Sequence, residues 1–323
     1  MIPHRARSAL AWILGGILCV GNVAGCGRAS DDGRGAVRLA TTHTVRDSGL
    51  LEPLVAACER ATGLRIETVV VATGHALALG ERGDADVLLV HDRVAEERFV
   101  AAGHGVARAD AFWSRFLVVG PPVPDDAKPD WERAYATMEE TLVRPGSVDS
   151  ATGERVHGTV RTRPSAAAYL RCVARYGGPF VSRGDDSGTH RKERALLVGV
   201  AVPWTGYVEA GQGMTATLRI ADERAATTLC DEPTYRQFAA SVRLVPKVEG
   251  DFALRNDYGA ILVTPDAARP AATTPARRMF EWLASSACHD VVETFRVAGV
   301  RVFFAPGEEP SRAIPGAPPE ARR

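Results

Sequence analysis

The stretch Ser182-Arg183-Gly184-Asp185-Asp186-Ser187-Gly188-Thr189-His190 places a fixed positive charge and two hydroxyls where a helix is expected to begin. Tyr176 to Val181 reads as a strand end and His190 to Leu197 as a helix, so Ser187 or Thr189 falls near the N-cap. A helix start leaves about four backbone N–H groups unpaired and carries roughly half a positive charge. An oxyanion docked there accepts those hydrogens without a full counter-ion. An ordinary capped surface helix uses the same residue types, so the motif gains weight only by repetition. Three more loops join an apolar strand to a helix with Gly, Ser or Thr at the junction: Thr41 to Gly49, Thr73-Gly74-His75, and Glu209 to Met214. In open α/β sheets such loops gather at the carboxyl ends of the strands, where ligands bind. Neutral donors with one arginine suit a small, fully deprotonated tetrahedral anion. Hydrogen phosphate also needs an acceptor for its own proton, a role open to Asp185 or Asp186.

The elements that must position these loops alternate. Val37 to Thr42 reads as a strand, and Leu50 to Ala61 has helical spacing with Asp47 and Ser48 as natural N-caps and Gly63 as its stop. A β-branched strand over 64–71, a short helix over 76–79, a strand over 86–90, a helix over 94–102 and a strand over 116–120 continue the α/β pattern. From Pro121 to Pro164 turn chemistry dominates, broken by a helix expected from Trp131 to Leu142. Beyond it come helices over 166–175 and 215–223, a strand over 207–210, a crossing strand over 258–264, and C-terminal helices over 277–284 and 290–295.

The chain has 323 residues, 46% of them hydrophobic, enough for one large core or two medium ones. Lys plus Arg and Asp plus Glu both number 39, so no basic field collects nucleic acid and anion recognition must be local. His4, Arg5 and Arg7 precede an apolar run, Ala9 to Val20, that is too short to span a bilayer. With Val23-Ala24-Gly25-Cys26 this reads as a lipoprotein leader over 1–26, lipidated at Cys26, followed by a tether over 27–35. That implies an extracytoplasmic, lipid-anchored protein. Cys58, Cys172, Cys230 and Cys288 are then free to form up to two disulfides in any of three pairings, or to remain buried thiols. The tail over 306–323 reads as disordered.

Rival chemistries have partial signals. Residues 211–216 fit the dinucleotide pattern G-x-G-x-x-A with Asp231 about twenty residues on, although Asp231 reads as part of a turn. Ser187 and His190 suggest a nucleophile and base, but no third orienting group and no G-x-S-x-G elbow accompany them. His43, His75, His91 and His190 lack metal-ligand spacing.

The strings LATTHTVRDSGLLEPL, TGHALALGERGDADVLLVHD, FVSRGDDSGTHRKE, EAGQGM and YGAILVTP resemble the tungstate ABC-transporter substrate-binding family, a branch of the type II periplasmic binding proteins. The resemblance covers most of residues 36–300 and implies two α/β lobes joined by two hinge crossings. Lobe I is expected over 36–118 and 259–305, and lobe II over 119–258. It implies Thr42, Thr44 and Thr73 as hydroxyl donors from lobe I and Arg183, Ser187 and Thr189 from lobe II. Gly74, Gly188 and Gly213 are additional candidates. His43 and Val45 stand where the family usually has small hydroxyl residues, and the linker over 121–164 is longer. The implied function is capture of tungstate, or molybdate, for an ABC permease and its ATPase, by a monomer with no cofactor, no resident metal and no enzymatic activity. Phosphate or sulfate binding on the same fold is the first alternative, and a secreted α/β enzyme using residues 211–216 for a dinucleotide the second.

Overall fold

The computed structural model describes residues 36–138, 165–248, 251–265 and 273–308, with short strands between 140 and 162. The expected leader, Cys26, the tether and residues 309–323 lie outside the described residues. The chain opens with β1 (Val37–Thr42), α1 (His43–Asp47), α2 (Leu51–Thr62), β2 (Ile66–Val71), α3 (Thr73–Glu81), β3 (Val87–Val90) and α4 (Arg93–Ala101). β1 lies between β2 and β3 and is parallel to both, so Thr42 aligns with Val71 and Thr41 with Leu89. All three strands therefore end at one edge of the sheet, where α1, α3 and α4 begin. Alternation sorts the strand residues. Leu39, Val87 and Leu89 pack on α2 and the C-terminal helices, while Ala40, Leu88 and Val90 pack on α3 and α4. Each large side chain so buried contributes roughly 1.5–3 kcal/mol.

β4 (Gly105–Gly120) is sixteen residues long, far longer than the strand expected over 116–120. After α5 (Asp130–Thr137), the strands β5 (Glu140–Val143), β6 (Ser147–Val148), β7 (Arg155–Val156) and β8 (Thr159–Thr162) form two antiparallel pairs, β5 with β8 and β6 with β7. The helix expected to reach Leu142 stops at Thr137, because β-branched Thr141 and Val143 pair with Arg161 and Thr159. Next come α6 (Ala166–Arg175), β9 (Phe180–Ser182), α7 (Gly188–Leu196), β10 (Tyr207–Glu209), α8 (Met214–Glu223), β11 (Thr228–Asp231), α9 (Glu232–Phe238) and β12 (Val245–Pro246). The chain closes with β13 (Arg255–Val263), α10 (Thr273–Leu283) and α11 (Ser286–Thr294).

β9 and β10 are parallel, and Phe180 bridges to Thr227 beside β11. β4 is shared: its first part pairs with β13, and Phe116 to Val119 pair with β11. Phe112 and Tyr258 pack in the core beneath β1–β3, whereas Phe116 and Leu254 pack in a second core with α6 and β9. Two α/β lobes joined by two crossing strands result. Phe116 and Val118 pack with α6 and β9, and Leu117 with α8 and β11, as β4 continues straight through the crossing. Midway, Asn256 Nδ2 donates to Ser114 Oγ at 3.2 Å, joining the crossing strands inside the protein.

Other local expectations change as well. Asp47 and Ser48 do not cap α2, whose N-cap is Leu50. Residues 43–47 form the extra helix α1, and Ser48 Oγ donates to Val45 O at 2.9 Å to close it. Asp231 is no turn residue: it ends β11 and caps α9, accepting from Thr234 N at 2.9 Å. Cys58, Cys172, Cys230 and Cys288 are buried and unpaired. No helix among the described residues is long and apolar enough to cross a membrane.

Candidate functional site

The C-terminal edges of the parallel strands in both lobes border one cleft of about 770 Å³. Four helices start at it: α1 after Thr42, α3 after Ala72, α7 after Ser187 and α8 after Gly213. α1, α3 and α8 have no side-chain cap hydrogen bond, so their first N–H groups are not claimed by a capping side chain. α7 is capped by Ser187, whose Oγ accepts from His190 N at 3.4 Å.

Thr42, Thr44, Thr73, Arg183, Ser187, Gly188, Thr189 and Gly213 all line this cleft. Gly74 is not among its lining residues. A Cβ there would stand 3.0 Å from Arg191 Nη2, so Gly74 makes room for an arginine of α7 instead. His91, Gln212, Arg46 and Arg219 also line the cleft and were not singled out as anion contacts by the sequence. His91 follows the end of β3 as Thr42 follows the body of β1, and that position is the signal that could have found it.

Thr42 is 3% exposed, Thr73 1% and Arg183 8%. Thr42 Oγ1, Thr73 Oγ1 and Arg183 Nε are nonetheless buried without a hydrogen-bond partner. Leaving a buried polar atom unpaired costs about 1–3 kcal/mol. Such atoms gathered from two lobes at one cleft fit a ligand rich in acceptors. The neighbouring Thr41 shows the contrast, since its Oγ1 donates to Leu89 O at 2.9 Å and serves the sheet.

Arg183 is held from several sides. Its N donates to Glu193 Oε2 at 3.2 Å, its O accepts from Gly211 N at 2.9 Å, and its Nη2 forms an ion pair with Asp185. Burial pushes the Glu193 carboxyl up to about 7, against bonds from Ser182, Arg183 N and Tyr207. Burial also opposes ionisation of Asp185, but the Ser187 bond and the Arg183 charge outweigh it and hold its carboxyl below the usual range. Burial, then Arg46, lowers His43 despite Asp47. Burial takes His91 down to about 4 despite its 3.0 Å contact with Asn256. Both rings are neutral at pH 7, leaving arginines as the cations of the cleft.

The rival chemistries lose their geometry here. Ser187 Oγ is used by the backbone N of His190, and His190 Nδ1 accepts from Asp186 N at 3.0 Å, so neither group is arranged as nucleophile and base. Asp231, 1% exposed, spends its carboxylate on α9 and cannot meet a ribose. Among the described residues no group of three or more His, Cys, Asp or Glu could hold a metal ion.

Comparison with known proteins agrees with this architecture. The model of the PBP superfamily domain matches residues 27–280. The tungstate-binding protein TupA of Peptoclostridium acidaminophilum is 36% identical over 282 residues, 87% of each chain. Among solved structures, the tungstate-binding protein TupA from Desulfovibrio alaskensis G20 matches with a TM-score of 0.65 and 32% identity, covering 84% of this chain and 99% of that one. The tungstate ABC transporter structure from Geobacter sulfurreducens matches with a TM-score of 0.62 and 33% identity, covering 80% and 98%. The two-lobe fold and these similarities together show that the chain belongs to the PBP superfamily, and within it to the tungstate ABC-transporter substrate-binding family.

Proposed function

We propose that this protein captures a fully deprotonated tetrahedral oxyanion, tungstate first and molybdate second, and delivers it to an ABC permease driven by its ATPase. The observation that carries the reading is the trio of unpaired buried donors, Thr42 Oγ1, Thr73 Oγ1 and Arg183 Nε. Thr44, Ser187 and Thr189, with the backbone at Gly188 and Gly213, complete the donor set. Tungstate offers acceptors only, which matches it. Asp185 lines the cleft, and both its oxygens are engaged, one by Ser187 N at 3.2 Å and the other by Arg183. With Asp185 so engaged, hydrogen phosphate loses one candidate acceptor for its own proton, which favours tungstate, molybdate or sulfate over phosphate. One relative is a tungstate-binding protein and one similar structure a tungstate ABC transporter, so the cleft is read as a binding site without chemistry. Lipidation at Cys26 would tether a monomer at the outer face of the membrane beside its permease.

Calorimetric titration of residues 27–323 with tungstate, molybdate, sulfate and phosphate at neutral pH tests the proposal. Tight tungstate binding with weak phosphate binding is expected. Binding of phosphate alone would move the function to phosphate uptake, and no binding at all would end the transport reading.

A further inference from the structure

The first turn of α7 belongs to lobe II by its packing yet touches lobe I at three places. Gly188 lies so near the His91 ring that an added Cβ would stand 2.5 Å from Cε1. Three residues on, Arg191 Nη1 donates to Asp92 Oδ2 at 2.7 Å, and its Nη2 runs beside Gly74 at the start of α3. Asp92 is a well-anchored partner. It caps α4, accepting from Ala95 N at 3.1 Å with its other oxygen, while its own N donates to Glu96 Oε1 at 2.8 Å. Arg191 also lies 3.5 Å from Asp186 in its own loop, so it has a lobe II partner even without lobe I. The side chains of Arg191 and Asp92 are 30% and 17% exposed, partly shielded from solvent screening.

These contacts sit on the same helix turn that presents Ser187, Gly188 and Thr189 to the cleft. Whatever holds Arg191 on Asp92 also holds those donors against Thr42 and Thr73. We propose that Arg191 is a positioning residue for the anion site: its bond to Asp92 latches the two lobes, slows ligand escape, and makes no contact with the ligand. Gly74, absent from the cleft lining, is then explained as the gap through which the guanidinium reaches its partner. The inference rests on the oxyanion-binding reading and adds to it a residue that the donor set does not include.

The test is stopped-flow association and dissociation of tungstate, with melting of the ligand-free protein as control, on the wild type, Arg191→Ala, Asp92→Asn and the exchange Asp92→Arg/Arg191→Asp. Asn keeps the helix cap while removing the charge. A latch predicts dissociation faster by about tenfold or more in both single variants, association changed little, and ligand-free melting unmoved. The exchanged pair should recover part of the lost residence time. Unchanged dissociation in Arg191→Ala, or a loss shared equally by association and ligand-free melting, would overturn the latch and leave the oxyanion reading intact. Failure of the wild type to bind tungstate, molybdate, sulfate or phosphate would instead overturn the oxyanion reading, and the latch with it.

Discussion

Thr41 and Thr42 are adjacent, chemically identical and both buried, yet the pleat of β1 sends them to different tasks. Thr41 donates to Leu89 O at 2.9 Å, whereas Thr42 Oγ1 has no partner. Thr41→Val should lower the stability of the ligand-free protein by about 0.5–1.5 kcal/mol, with tungstate affinity changed little. Thr42→Val should do the reverse, weakening tungstate binding by a similar amount and leaving stability unchanged or slightly higher. Paired urea melts and titrations decide this, and equal effects in both variants would remove Thr42 from the site. Arg183 carries more, because its Nε is unpaired and its charge is buried. Arg183→Ala should cost roughly 2–4 kcal/mol of binding, the scale of truncating a buried charge-assisted contact. An affinity within twofold of wild type would contradict its role.

At the scale of the element, α7 serves three masters on three faces: Ser187 and Thr189 toward the cleft, Arg191 toward lobe I, and Glu193 inward under Arg183. Gly188→Ala would place a methyl 2.5 Å from Cε1 of the His91 ring, which is half-buried and held by its 3.0 Å contact with Asn256. Overpacking of that kind costs about 1–3 kcal/mol, so tungstate affinity should fall roughly ten- to a hundredfold in titration. Glu193 adds a pH dependence. Its carboxyl is raised to about 7 by burial, so the folded state binds the proton more tightly than the unfolded chain does. The stability it contributes is present below the ordinary glutamate pKa and lost as pH rises through about 7. Glu193→Gln should flatten the fall in melting temperature between pH 5.5 and 8, and an unaltered profile would refute the assignment. Much of α7 was legible in advance, since its Ser, Gly and Thr at a strand-to-helix junction repeat the chemistry of three other loops. What stayed illegible was long-range. Gly74 read as an anion contact because nothing local shows Arg191, 117 positions further on, reaching past it. Asp231 read as a turn because Glu232-Pro233 follows it, although Pro at the first turn of α9 suits a helix start equally well. The first two-thirds of β4 escaped because Ala107, Arg108, Ala109 and Asp110 have little strand character, and β13 alone gives them a ladder.

For the whole molecule, charge and topology divide the work. Equal numbers of acidic and basic residues leave no global field to steer an anion, so discrimination falls to the cleft between the lobes. That cleft, about 770 Å³, lies in the range of sites for drug-sized ligands and is larger than one metal centre with four oxygens fills. Surrounding so small a ligand takes donors from both lobes, which the Arg191–Asp92 contact holds face to face. The two connections are not independent loops. β4 and β13 run side by side through the crossing, with Arg115 against Arg255 and Phe112 against Tyr258, and Ser114 bonded to Asn256 between them. A hydrogen-bonded ribbon resists shear but yields to twist, so closure should be a rotation about it, with each lobe moving as a rigid body. The side chains that pack with α6 and β9 begin at Phe116 on one strand and end at Leu254 on the other, so the pivot is expected at Ser114 and Asn256. Small-angle scattering should show a smaller radius of gyration on tungstate saturation. Arg183→Ala at the same tungstate concentration should keep the open profile, because only a ligand bound by both lobes favours the closed state. Identical profiles for the free and saturated wild type would mean that the lobes do not move, and that the donors of the two lobes meet the anion in a rigid cleft.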